Sequence, residues 1–286
     1  MIQSKSLMVA ILATVATCSM AMASSVSVTP SNMGNWSLFT TDNANYGTPG
    51  GGSGTGTAAI SAGPAGSGGG AELATGPGHG DESAQLRNAT DWVGTNINDL
   101  TTLSYSTYAT ASNATPPSAS QDSFFIMYLA NGDRLFFEPI YGDGGDVVNP
   151  NGNQPAPVLN TLQSWDLLKG MWYSDNYGGP GSGALSWSAM LALENAAGST
   201  TIVNAPAGLG GLRITVGEAS TTDNFDVFID NFSIGTETST KTYVFGPDVG
   251  SPVPLPASAG MGLVMLAGLG AVFAFRKRMA RKAQAI

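Results

Sequence analysis

Cysteine and histidine are almost absent from this chain: Cys18 and His79 are the sole examples of each among 286 residues. Zinc sites, thiol nucleophiles and histidine-based triads all draw on those residue types, so most of the common catalytic and metal chemistry is excluded at the outset. Charge is scarce too. Asp, Glu, Lys and Arg make up 11% of the chain, where an ordinary soluble domain carries roughly a quarter. Cations number 11 against 20 acids, and a net charge of −9 argues against nucleic acid as a partner, which would require phosphates to be neutralised. What the chain has in excess is glycine, at 38 positions, close to twice its usual share of about 7%.

Both ends read as addresses. The opening MIQSKSLMVAILATVATCSMAMASS has one Lys5, an apolar run from Leu7 to Ala16 and the small-residue triplet Ala21, Met22, Ala23. That is the pattern of a secretory signal peptide over residues 1–23, cleaved after Ala23. The apolar run is shorter than the about 20 helical residues a bilayer requires. Cys18 is an alternative lipoprotein acylation site, although Thr17 precedes it where such signals carry a smaller residue. If Cys18 leaves with the signal, the exported chain has no thiol and no disulfide.

The C-terminal segment 249–286 holds Val253, Pro254, Leu255, Pro256 and Ala257, then an uncharged stretch from Ala257 to Phe275, then Arg276, Lys277, Arg278, Arg281 and Lys282. Nineteen helical residues span roughly 28 Å, enough to cross the hydrocarbon core. The basic residues act as a stop, and the positive-inside rule places them in the cytoplasm. The order of proline-containing motif, apolar helix and basic tail resembles the VPLPA variant of the PEP-CTERM sorting signals of Gram-negative bacteria, over about the last 35 residues. The resemblance implies export across the inner membrane, recognition by a membrane-embedded exosortase, processing near this motif, and a destination in the cell envelope or outside the cell. Leu255 stands where the commoner signals carry Glu.

Between these addresses lies one acidic domain, residues 25–248. Setting aside Lys5 and the five tail cations leaves Arg87, Arg134, Lys169, Arg213 and Lys241 against all the acids, a balance near −15. Such a charge favours solubility and divalent cations and is silent about fold. Short apolar runs rich in aromatic and β-branched residues alternate with Gly, Asn, Asp, Pro and Ser, which punctuate strands. The pattern predicts strands at Trp36–Phe39, Ala58–Ser61, Ala71–Thr75, Ala84–Asn88, Leu100–Tyr108, Ser123–Leu129, Arg134–Tyr141, Thr201–Asn204, Leu212–Val216, Phe225–Ile234 and Lys241–Phe245. Leu212, Ile214 and Val216 fall on one face, expected to be buried, and Arg213 and Thr215 on the other, expected to be wet. Phe124 to Leu129 is apolar on both faces and is expected centrally, under a second layer or a loop. Only Leu185 to Glu194 has helical spacing. The Gly-rich stretch contains AAISAGP and GAELATGP, read as two strands joined by a loop, with a second loop at residues 48–56. The expected fold is all-β: two packed antiparallel sheets in a jelly-roll-like sandwich.

The succession ISAGPAGSGGGAELATGP, GTNINDLTTLSYSTY, RLFFEP, LQSWDLLKGMWY, LGGLRITVG and FDVFIDNFSIG resembles a β-sandwich module of bacterial secreted and PEP-CTERM-type proteins. That module looks like concanavalin-type and carbohydrate-binding jelly rolls. The resemblance implies fold and export and carries no catalytic signature.

Few residues suggest chemistry. His79, in GPGHGDES, reads as an exposed turn residue, with no G-x-S-x-G elbow to accompany it. Glu138, Glu194, Asp226 and Asp230 are the carboxylates a glycosidase would draw on. Asp226 and Asp230 share a strand face about 13 Å apart, too far for either glycosidase geometry unless a bulge intervenes. Asp143, Asp146 and Asn149 in YGDGGDVVNPNGN offer closely spaced oxygens for calcium, with Asp122, Asp133 and Asp223 as partners from other loops. Trp165, Trp172 and Tyr173 are either core or a platform for pyranose rings. These readings lead to a non-enzymatic envelope or matrix protein that acts by adhesion or exopolysaccharide association. The alternatives are a carbohydrate-binding module, with or without calcium, and a glycoside-active enzyme.

Overall fold

The computed structural model describes residues 22–42, 54–112, 122–141, 154–180, 183–205, 210–217 and 221–248. The chain divides into two compact units, Met1–Pro247 and Asp248–Ile286, and every element below belongs to the first. The predicted signal up to Ala21, the 142–153 segment with Asp143, Asp146 and Asn149, and the segment from residue 249 with its predicted span lie outside the described residues. Among the described residues no helix is long and apolar enough to cross a membrane.

In chain order the strands are β1 (Met22–Val28), β2 (Trp36–Thr41), β3 (Thr57–Ser61), β4 (Gly70–Ala74), β5 (Ser83–Asn88), β6 (Leu100–Ala111) and β7 (Phe124–Tyr128). They continue with β8 (Arg134–Phe137), β9 (Leu162–Asp166), β10 (Met171–Ser174), β11 (Leu185–Ser186), β12 (Leu212–Gly217), β13 (Asp226–Thr236) and β14 (Ser239–Phe245). One α-helix among the described residues, α1 (Trp187–Ala197), follows β11. Two seven-stranded sheets result. The first is built around the long β13, which pairs β6 along one edge and β4 then β14 along the other; β3, β9 and β1 complete it. The second runs β11-β10-β8-β7-β12-β5-β2. All pairings are antiparallel except β1 with β14.

Period-two alternation builds the core. β12 turns Leu212, Ile214 and Val216 inward, β7 turns Phe125 and Met127, and β13 turns Val227 and Ile229, all within 1% of full burial. The two sheets meet directly where Phe125 stacks on Phe232, ring centres 5.9 Å apart. Trp36 lies edge-on to Phe232, Tyr243 and Phe245 at 5.1–5.4 Å. Each such ring contributes about 1.5–3 kcal/mol by leaving water, and edge contacts between aromatics add to it.

Two departures from simple alternation are built into the sequence. In FDVFIDNFSIG the inward set moves from Val227 and Ile229 to Phe232 and Ile234, because the register with β6 shifts between Asp230 and Ser233. Asn231 sits at that bulge with φ of 52°, a left-handed conformation that asparagine tolerates better than most residues. In the loop between β3 and β4, Gly63 has φ of 63°, and a Cβ there would stand 2.3 Å from Ser67 Oγ and 3.0 Å from the Phe228 ring. Only glycine lets that loop close over Phe228 on the outer face of the first sheet.

Some expectations were incomplete. Thr201–Asn204 forms isolated bridges from Thr201 to Asn96 and Ile202 to Leu129, not a strand. β1, β9, β10 and β11 were not anticipated. Met22 and Ala23 pair with Ser239 and Thr240, so cleavage after Ala23 would remove the first two rungs of β1. The helix begins at Trp187, two residues later than its spacing suggested, because the Ser186 hydroxyl accepts from Ala189 N–H and caps it there.

Candidate functional site

On the outer face of the second sheet, register aligns one residue from each of six strands into a row: Ser37, Arg87, Arg213, Ile126, Phe136 and Tyr173. The adjacent row holds Phe39, Gln85, Thr215 and Phe124. Arg87 and Arg213 are directly opposite one another, and both are about 1% exposed. Arg87 Nε donates to Gln85 Oε1 at 2.8 Å and Arg213 Nη1 to the same oxygen at 3.3 Å. The Gln85 amide donates in turn to Ser83 Oγ, which is 2.7 Å from Thr41 Oγ1. The Arg87 guanidinium also lies 4.4 Å from the centre of the Phe39 ring.

This corrects the expected wet face of β12. Arg213 and Thr215 do point away from the core, but both are buried. Alternation assigns a side chain to one side of a sheet and is silent about whether that side meets solvent. The two-sided apolar character of β7 has the same cause. Ile126, Tyr128 and Phe136 pack with Ala205, Val203 and Tyr173 into a second small cluster on this outer face.

At the far end of the row, Tyr173 stacks on Phe136 with ring centres 4.9 Å apart and planes 6° from parallel. The Arg134 guanidinium lies 5.1 Å from the Phe136 ring centre and pairs with Asp175 at 2.7 Å. The Tyr173 hydroxyl donates to Glu138. Ser37, Phe39, Phe124, Glu138 and Tyr173 are half-buried and form the accessible rim. Arg87 and Arg213 are covered, so Arg134 is the guanidinium at this rim, beside the Phe136–Tyr173 stack.

Of the three aromatic residues considered as a sugar platform, only Tyr173 retains a partly open ring. Trp165 and Trp172 are fully buried, which corrects their reading as platform residues. Trp172 Nε1 donates to Leu167 O at 2.8 Å, and its ring packs against Phe125, Phe137 and Trp187. Trp165 Nε1 donates to Thr107 Oγ1 at 2.9 Å, and that hydroxyl donates to Asp122 Oδ2 at 2.7 Å. Burial pushes the Asp122 carboxyl up to about 6, against the opposing effect of the hydrogen bonds it accepts from Thr107 and Ser123. Indoles settle inside when their N–H finds such a partner.

The remaining candidates are dispersed. His79 is half-exposed in the turn between β4 and β5, its Nδ1 3.4 Å from Glu82 Oε1. Asp226 is engaged by Thr110, and Asp230 accepts from Phe245 N at 2.8 Å. The register of β13 with β6 shifts between Asp226 and Val227 and again between Asp230 and Ser233. Among the described residues no group of three or more His, Cys, Asp or Glu comes together. One pair does form that sequence reasoning missed: Glu194 of α1 meets Asp133 of the β7–β8 turn, and both are buried. The signal was present in the helix pattern, where Trp187, Met190 and Glu194 make up the buried stripe and an acid occupies an apolar position. Burial, and after it the Asp133 carboxyl, pushes the Glu194 carboxyl up.

Comparison with known proteins returns no matching family, no matching curated protein and no matching solved structure.

Proposed function

We propose that this chain is a non-enzymatic exported protein of a Gram-negative cell envelope or extracellular matrix, delivered by its C-terminal sorting signal and acting by contact. The observation that carries this reading is the unbroken order of Val253, Pro254, Leu255, Pro256 and Ala257, an uncharged run to Phe275, and the basic Arg276, Lys277 and Arg278. An exosortase-type enzyme would meet the proline pair as extended chain at the membrane surface, since neither proline continues a helix. The two-sheet sandwich, of jelly-roll type in this reading, supports a contact role: it presents broad, rigid faces. Cell fractionation combined with intact-mass measurement tests the proposal. A product lacking residues 1–23 and ending near Val253, in the envelope or the medium, is the expected result. A full-length chain retained in the cytoplasm would overturn it.

A second reading, glycan contact by the outer face of the second sheet, is favoured by a specific observation. The parallel Phe136–Tyr173 stack, the Arg134 guanidinium beside it and the Glu138 carboxylate supply a ring face, donors and an acceptor within one strand-to-strand step. Exopolysaccharide is the matching ligand class.

A further inference from the structure

Asp133 closes the tight turn between β7 and β8, and Glu194 lies on the inward stripe of α1. Each carboxylate has one satisfied oxygen. Asp133 Oδ1 accepts from Arg134 N at 2.9 Å, and Glu194 Oε2 accepts from Asn131 Nδ2 at 3.2 Å. The other two oxygens, Asp133 Oδ2 and Glu194 Oε1, are buried and accept no hydrogen bond. Their residues are 1% and 0% exposed, and the two carboxyl groups adjoin each other. Neither forms an ion pair with a described residue. Two adjoining acids removed from water with orphaned oxygens are strongly unfavourable as a pair of bare anions, so a proton or a cation must offset their charge.

We propose that Asp133 Oδ2 and Glu194 Oε1 bind a divalent cation, calcium by their chemistry, which ties the β7–β8 turn to α1. The donors are hard carboxylate oxygens, and two neutral oxygens lie in the adjoining hydrogen bonds: Asn131 Oδ1 of the same turn, which accepts from Asp133 N, and Ser199 Oγ just after α1, which accepts from Asn131 N at 2.7 Å. No sulfur or imidazole is present to select a softer metal. Calcium takes its ligands as oxygens at about 2.3–2.6 Å, and carboxylates supply the charged part of such a set. The proposal draws no ligand from Asp143, Asp146 or Asn149.

Calcium titration of the metal-stripped, purified chain at pH 7.5, followed by calorimetry and by thermal unfolding, tests the proposal. The expected result is uptake at this site with a rise in Tm of roughly 5–10 °C near a hundredfold excess over Kd. Asp133→Asn and Glu194→Gln should each abolish the rise, while the double change Asp143→Asn, Asp146→Asn leaves it in place. No uptake by the unaltered chain overturns the proposal, as does a rise that both single variants retain. So does a chain that ignores calcium and gains stability only on mild acidification, the behaviour of two carboxyls sharing one proton. If Asp133→Asn or Glu194→Gln folds poorly, uptake by the double variant Asp143→Asn, Asp146→Asn decides, since that chain keeps this site and lacks the loop acids; no uptake by it overturns the proposal.

Discussion

Arg87 on β5 and Arg213 on β12 face each other across adjacent strands and share one acceptor, the Gln85 side-chain oxygen. Like charges directly opposite one another destabilise a strand pair, and burial sharpens the repulsion. A single carbonyl taking hydrogen bonds from both guanidiniums therefore matters more than an ordinary buried amide.

Gln85→Leu keeps the volume and removes that acceptor. Hydrogen bonds to charged groups contribute about 1.5–3 kcal/mol each. The variant is expected to lose about 2–4 kcal/mol in urea unfolding, while Ser37→Ala, at the half-buried end of the row, changes stability by less than about 1 kcal/mol. Equal losses would show that the shared acceptor has no special role.

Trp172 and Tyr173 are neighbours on β10 with opposite duties. Trp172→Ala empties a fully buried site between the sheets and is expected to cost about 3–5 kcal/mol. Tyr173→Ala removes a half-buried ring and should cost much less. If the outer face contacts glycan, Tyr173→Ala weakens retention in affinity electrophoresis through acidic exopolysaccharide. Retention by Tyr173→Ala equal to that of the unaltered chain, at an unchanged Tm, would remove that reading.

Asp122 gives stability a pH dependence of definite sign. Its carboxyl is raised from 3.8 to about 6 in the folded chain, so between those values the folded state holds a proton that the unfolded state releases. The resulting stabilisation is fully present below pH about 4 and is lost as the pH rises through about 6. Asp122→Asn removes this dependence. Across that window the stability of the unaltered chain should fall relative to the variant by about 3 kcal/mol, the linkage equivalent of the shift. Parallel pH profiles for the two chains would contradict it.

Much of the fold was legible because strand patterning is local. Leu212, Ile214 and Val216 announce an inward face within five residues, and the Gly-rich stretch resolves into β3 and β4 because Ile60 and Leu73 need a core. β9 and β10 were less legible, since LQSWD and MWYS lie within an aromatic cluster that suggested sugar binding as readily as packing. For Trp165 and Trp172 the decision rests on partners distant in sequence, Thr107 for one and Phe125 with Trp187 for the other.

By itself the sequence determined the all-β class, the side of the sheet on which most strand residues fall, and the order of motif, apolar run and basic tail at the C-terminus, because each follows from composition or from spacing over a few residues. Only the tertiary structure decided that the polar face of β12 is buried, that Arg87 and Arg213 share Gln85, and that Asp133 meets Glu194. The reason is physical. Alternation fixes direction, whereas burial and charge pairing depend on which distant segments arrive on the same face.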